Sequence, residues 1–236
     1  MKTKTYRLDR FIRKHTSIAM GAVRLLVAQQ KILVDGQPAQ SIHQIIGEFT
    51  SVSLNGVNIQ NNTARYIALH KPRGIVSATK DAKHSTVLDL LPQHERQGLH
   101  IVGRLDFNST GLILLTNDGR WSKTINDEHK KVPKQYTVTV DKPITSDVIT
   151  AFHQGIYFAY ENITTKPAGL KIISPFTAQV TLTEGRYHQI KRMFGHFQIE
   201  VLTLHRFAIG QLHLNDTLSQ GQYQCIAPQD VYESVS

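Results

Sequence analysis

Two kinds of hydrophobic spacing divide the chain. Near the N-terminus Leu8, Phe11 and Ile12, then Ile18, Ala22, Leu25 and Leu26, recur at helical spacing and predict two short amphipathic helices broken near Thr16-Ser17. A short apolar strand at 31–34 follows, closed by an Asp35-Gly36 turn, and Val52, Leu54 and Val57 flank a second turn at Asn55-Gly56. The stretch Ile59-Gln60-Asn61-Asn62-Thr63-Ala64 is polar, uncharged and turn-prone, and reads as a linker. The expected organisation is a small module over 1–58, a linker over 59–65 and a larger domain over 66–236.

Period-two alternation takes over after the linker. Tyr66-Ile67-Ala68-Leu69-His70 predicts a strand and Lys71-Pro72-Arg73-Gly74 a turn; residues 136–140 and 178–183 alternate as half-buried strands. Residues 148–152 and 188–196 read as helices, and Asn117-Asp118-Gly119 as a turn leading into another helix at 120–125. Many strands with few helices, and no regular alternation of the two, favour an α+β fold with a mixed, mostly antiparallel sheet over a doubly wound one.

Composition narrows the partners. The 236 residues carry a formal charge of +9 and a pI near 9.7, a balance that favours polyanions, because lysines and arginines displace phosphate counterions. Residues 1–60 hold 8 Lys and Arg against 3 Asp and Glu, net +5, while the other 176 are net +4, so the electrostatic handle lies at the N-terminal end. One cysteine, Cys225, excludes a disulfide framework and a cysteine metal site within the chain, and the twelve histidines show no metal-binding spacing beside an acid. No signal peptide and no apolar run long enough to span a membrane is visible. A cytoplasmic protein without metal or membrane partner is expected.

The stretch most informative about chemistry runs from Gly103 to Gly119. It presents Asp106 beside Arg104 in a glycine-bounded loop anchored by apolar runs at 101–102 and 112–115. Asp118, beyond a strand of four to five residues, would lie ~14 to 17 Å away, too far to act with Asp106 as an acid and base pair. A single carboxylate argues against a two-carboxylate hydrolase and against a hard-metal cluster. By spacing alone, Asp106 reads rather as a turn residue bonded to its own backbone.

Five short blocks shift that balance. Gly103-Arg104-Leu105-Asp106 with the residues that follow to Gly119, Lys71-Pro72-Arg73-Gly74, Lys134-Gln135-Tyr136, residues 184–194 (Glu-Gly-Arg-Tyr-His-Gln-Ile-Lys-Arg-Met-Phe) and residues 204–212 fall in one order across about 140 residues. Together they resemble the RsuA-type pseudouridine synthases. The first 60 residues, in the order helix, helix, strand, turn, strand, resemble an S4 RNA-binding module, with Arg7, Arg10, Arg13, Lys14, Arg24 and Lys31 along its nucleic-acid face. The alternative is that these charges are simply the solvated sides of two helices. Ile18-Ala19-Met20-Gly21 stands where such modules carry an arginine or a serine-arginine pair, which implies a weaker grip on RNA.

The resemblance implies conversion of uridine to pseudouridine without a cofactor, in a domain whose sheet is split by a cleft. It assigns the reacting carboxylate to Asp106, which either attacks C1′ or stabilises positive charge there. A carboxylate shielded from water needs a cation beside it; Lys191 fits the family position, with Arg104 second and Arg192 third. Tyr136 stands where the family stacks the flipped base, although a tyrosine opening a strand is often simply core. Lys134 orders the strand end or touches phosphate, and His188 suits a structural hydrogen bond.

Several blocks look closer to the branch that acts on small-subunit (16S) ribosomal RNA, and no basic C-terminal tail follows. Asn108 and Ser109 depart from that branch's usual acid and threonine. The expected partner is ribosomal RNA within a 30S assembly particle, met by a monomer. A large-subunit (23S) synthase and a non-catalytic RNA-binding assembly factor are the alternatives.

Overall fold

The computed structural model describes residues 5–232, which divide into two compact units with the boundary between Ala64 and Arg65. Each has its own apolar core. Among the described residues no helix is long and apolar enough to cross a membrane.

In the first unit, helix α1 (Leu8–His15) buries Leu8, Phe11 and Ile12 almost completely, as its spacing predicts. Asp9 stands in its first turn and Arg13, Lys14 and His15 in its last, the arrangement the helix dipole favours. Helix α2 (Met20–Ala28) is turned differently from the sequence expectation. Val23 is its buried residue, with Leu26 and Val27 partly buried at i+3 and i+4, whereas Leu25 is 60% exposed and Ala22 faces outward. The strands Gln37–Pro38, Ile32–Val34, Val52–Leu54 and Val57–Gln60 form an antiparallel sheet in that order. Both hairpin turns have two consecutive positive φ values, Asp35-Gly36 at 50° and 76° and Asn55-Gly56 at 50° and 80°, as primed turns require. The last strand extends through Gln60, whose amide donates to the carbonyls of Gly47 and Thr50. Ile59 and Gln60 therefore belong to the sheet, not to the linker.

The second unit is built on a nine-stranded mixed sheet. Its main path runs Gly169–Ser174, Thr177–Leu182, Lys134–Val140, Val201–Ile209, Thr110–Thr116, Tyr66–Lys71, Tyr223–Cys225, with His100–Val102 and Leu212–His213 attached alongside. Every pairing is antiparallel except one. Val201–Ile209 meets Thr110–Thr116 in parallel, and only through His205 opposite Thr110 and Arg206 opposite Gly111. This brief contact joins two otherwise continuous halves. Helices α4 (Ser146–Gln154) and α5 (Gln189–Gly195) pack on one half, Phe152 against Phe194 with ring centroids 5.0 Å apart. Helix α3 (Gly119–Asn126) is capped by Asp118, whose carboxylate accepts from the Arg120 and Trp121 N–H groups and from the Tyr66 hydroxyl. Asp118 is thus a capping residue, and the seven-residue strand before it is longer than the apolar run alone suggests.

Gly111 makes the parallel contact possible. A Cβ there would lie 2.2 Å from the carbonyl oxygen of Arg206 and 2.6 Å from its nitrogen, and φ is +109°. Gly98, with φ of +75°, meets nothing closer than 3.9 Å. Gly111→Ala is expected to lower stability by at least about 3 kcal/mol in urea unfolding, and Gly98→Ala by about 1 to 2. Equal effects would show that the backbone contact at Gly111 is not what requires glycine.

Candidate active site

The loop carrying Asp106 is held at many of its backbone groups. Ser77 bonds both ends of Leu105, its hydroxyl donating to the carbonyl at 2.6 Å and accepting from the N–H at 3.1 Å. The Phe107 carbonyl accepts from Gly74 N–H, and Ser109 N–H closes the turn on the Asp106 carbonyl. Beneath the loop lies Lys71, fully buried, its ammonium donating to the carbonyls of Ser109 (2.8 Å), Pro72 (3.1 Å) and Phe107 (3.3 Å). Burial pushes Lys71 down to about 8, with Asp106 opposing the shift and Arg206 adding to it.

Arg206 fixes the start of the loop from the other half of the sheet. Its side chain, 1% exposed, donates to the carbonyls of Leu112 at 2.7 Å and Gly103 at 2.6 Å, with longer contacts to the Arg104 carbonyl and the Tyr136 hydroxyl. The rigid fork of a guanidinium suits this span between separate carbonyls.

Around the loop lies a cleft of about 670 Å³. Asp106 is partly exposed within it, and the structure brings two side chains of one helical turn to its carboxylate. Lys191 of α5 stands 3.1 Å from Oδ2, and Nε2 of His188 lies 3.5 Å from Oδ1. His188 occupies the N-cap in the left-handed region, φ 49°, and its ring stacks on the exposed Tyr187 at 3.8 Å. Tyr136 forms a wall of the cleft, 7% exposed, and Lys134 lies on the same strand face at 6%. Burial pushes the Lys134 amine down to about 8, helped by Arg206 and opposed by Glu128. Glu184 is held by the Lys166 N–H, the Arg186 guanidinium and Gln189, so it is structural.

Two expected cations are elsewhere. Arg104 lines the cleft but is exposed and forms no ion pair with Asp106. Arg192 is not at the cleft. One step around α5 from Lys191, it makes a two-pronged pair with Glu161 and lies over the Phe158 ring at 3.8 Å. Asn108 accepts from Arg73, while the Ser109 hydroxyl is buried without a partner among the described residues.

In the first unit Arg10, Arg13 and Lys14 share an exposed face of α1, and Arg24 and Lys31 are exposed as well. Lys14 also donates to the Tyr6 hydroxyl and lies over its ring. Arg7 is committed internally, 2.6 Å from Asp9. Burial works against ionisation of Asp9, but the bonds from Arg7 and the Arg10 N–H outweigh it and hold that carboxyl below its usual range.

The fold and its motifs have named counterparts. The family model described as RNA pseudouridylate synthase matches residues 65–196. Over 226 residues the chain is 42% identical to ribosomal small subunit pseudouridine synthase A of Pseudomonas aeruginosa, covering 95% of this chain and 98% of that protein. It is 34% identical to the protein of the same name from Escherichia coli (strain K12), with the same coverage. A crystal structure of a pseudouridylate synthase superposes with a TM-score of 0.69 at 30% identity, over 95% of this chain and 97% of that one.

Lys71 and Arg206 stand within motif blocks, yet nothing in the sequence announced that they are buried. In the unfolded chain Lys71 titrates at 10.5 and in the fold at about 8, so between those values the unfolded state binds more protons and stability rises with pH. Urea titrations of wild type and Lys71→Met from about pH 8 to about 10.5 are expected to show wild type gaining on the variant through that window. A difference that stays constant with pH would contradict the burial of this charge.

Proposed function

The chain belongs to the RNA pseudouridylate synthase family, and on that premise we propose that it converts a uridine of 16S ribosomal RNA to pseudouridine at Asp106. The observation that carries this reading is the Asp106–Lys191 pair at 3.1 Å, set in a cleft walled by Tyr136. The two relatives described above are both named as small-subunit synthases, which supports the 16S substrate over a large-subunit one.

The chemistry follows from what the cleft holds. The bond from ribose C1′ to N1 must break, the base must turn, and C1′ must join C5, with no redox change and no atom added. Lys191 aims the Asp106 carboxylate and balances its charge while a bound base excludes water. The carboxylate then meets C1′ as nucleophile or as counter-charge. A uridine flipped out of folded RNA needs a flat partner to replace its stacking, and the buried ring of Tyr136 supplies one inside the cleft. Arg104, exposed at the rim, serves incoming RNA rather than Asp106.

On the first unit, Arg10, Arg13, Lys14, Arg24 and Lys31 provide sequence-independent phosphate contacts. On this reading the enzyme is a monomer that works in the cytoplasm on ribosomal RNA within a 30S assembly particle, and needs no cofactor. A non-catalytic assembly factor would have no use for the Asp106–Lys191 pair, whose partial burial has a desolvation cost.

Release of tritium from C5-labelled uridine in 16S and 23S transcripts, wild type beside Asp106→Asn, tests the proposal. Release from 16S RNA alone is expected, abolished by Asp106→Asn with RNA affinity unchanged within a few-fold, because phosphate contacts elsewhere dominate binding. RNA binding without release from either RNA would make the protein an assembly factor. Residual turnover with lost binding would make Asp106 structural.

A further inference from the structure

Two buried cations of the cleft have no carboxylate partner among the described residues. Lys134 is 6% exposed, and among the described residues its ammonium makes one hydrogen bond, a long contact of 3.4 Å to the carbonyl of Val132. Arg206, 1% exposed, donates to main-chain carbonyls and approaches the Tyr136 hydroxyl. Neither forms an ion pair among the described residues. Glu128, the carboxylate whose field reaches Lys134, is 49% exposed and already paired with Lys166 at 3.0 Å.

Arg206 repays its burial by holding the loop, but Lys134 has no comparable structural use. Its strand neighbours are Leu182 and Ile209, an environment in which an apolar side chain of similar length would pack. A buried ammonium with one poor hydrogen bond lowers stability, and the repulsion from Arg206 adds to the cost. Such a charge makes sense where the reaction supplies its counter-ion.

The isomerisation supplies one. When the C1′–N1 bond breaks, its electron pair leaves on N1 and spreads over O2 and O4, so the detached uracil is an anion while C1′ becomes electron-poor. After the base turns, C5 attacks C1′ to form the new carbon–carbon bond. The C5 proton then leaves and N1 takes up a proton, so the composition is unchanged. Asp106 answers the charge at C1′, but it repels the base anion.

We propose that Lys134, reinforced by Arg206, stabilises the negative charge of the expelled uracil while it turns in the cleft. Fixed positive charge in a dry site is effective for this purpose because it needs no reorganisation when the anion forms. The inference rests on the isomerase reading and assigns opposite electrostatic duties to the two sides of the base.

The test compares wild type, Lys134→Met and Lys134→Arg in single turnover on a 16S transcript and on the same transcript made with 5-fluorouridine. Fluorine at C5 stabilises the uracil anion, so the fluorinated base needs less help to leave. The C-linked nucleoside is quantified after digestion; with 5-fluorouridine, which has no C5 proton to lose, it is the adduct that keeps fluorine on C5 and adds water across N1 and C6, while urea unfolding and RNA affinity are measured beside it. Lys134→Met is expected to be at least as stable as wild type and to bind RNA equally. It should be slower by on the order of 10² to 10³-fold on uridine and at least about tenfold less impaired on 5-fluorouridine. Lys134→Arg, which keeps the charge, should recover most of the rate. Equal impairment on both RNAs, an unimpaired Lys134→Met, or a variant that fails to fold would overturn the role of Lys134 and leave the isomerase reading intact. A wild-type protein that converts neither RNA would remove that reading as well.

Discussion

The two halves of the large sheet meet over only two residue pairs, so the geometry of the cleft depends on how that junction is held, and Arg206 holds it. Its backbone lies against Gly111 too closely for any side chain, while its guanidinium reaches the carbonyls of Leu112 and Gly103 on the facing half. Gly103 and Gly111 bound the loop that carries Asp106. One buried side chain therefore fixes both ends of that loop, and Lys71 fixes its middle from below. With the backbone so constrained, Asp106 has little freedom except to face Lys191.

This construction is costly for a fold. Lys71, Lys134 and Arg206 are all buried, and among the described residues none has a carboxylate partner. Lys71 and Arg206 offset their desolvation with hydrogen bonds to main-chain carbonyls. The result is a cleft in which Asp106 is partly exposed among excess positive charge, as the proposed reaction of a polyanionic substrate with a departing base anion requires. Rigid placement and uncompensated charge are what functional sites are expected to take at the expense of stability.

Much of this was legible in the sequence. The two Asp-Gly and Asn-Gly hairpins, helix α1 and the alternating strands follow from local chemistry, and the five motif blocks pointed to Asp106, Lys191 and Tyr136. What escaped depended on long-range packing. The phase of α2 is set by which side meets the core, so Leu25 turned out exposed and Val23 buried. Lys191 and Arg192 are adjacent and chemically alike; the motif ranked Lys191 first, but the pairing of Arg192 with Glu161, thirty-one residues away in sequence, had no local signal. The burial of Lys71 and Arg206 is invisible to hydrophobic patterning, which reads every cation as solvated, and the left-handed backbone of His188 carries no local signal in a residue of that type.

The measurement that bears most directly on this account is the single-turnover rate of Arg206→Lys on a 16S transcript, taken with its unfolding curve and RNA affinity. Lysine keeps the charge but cannot span the carbonyls of Leu112 and Gly103 together. A folded variant that binds RNA within a few-fold of wild type yet isomerises it about 10²-fold or more slowly is the predicted result, since small displacements of a reacting group have costs of that size. A folded variant with a rate near wild type would show that Asp106 is positioned by something other than Arg206.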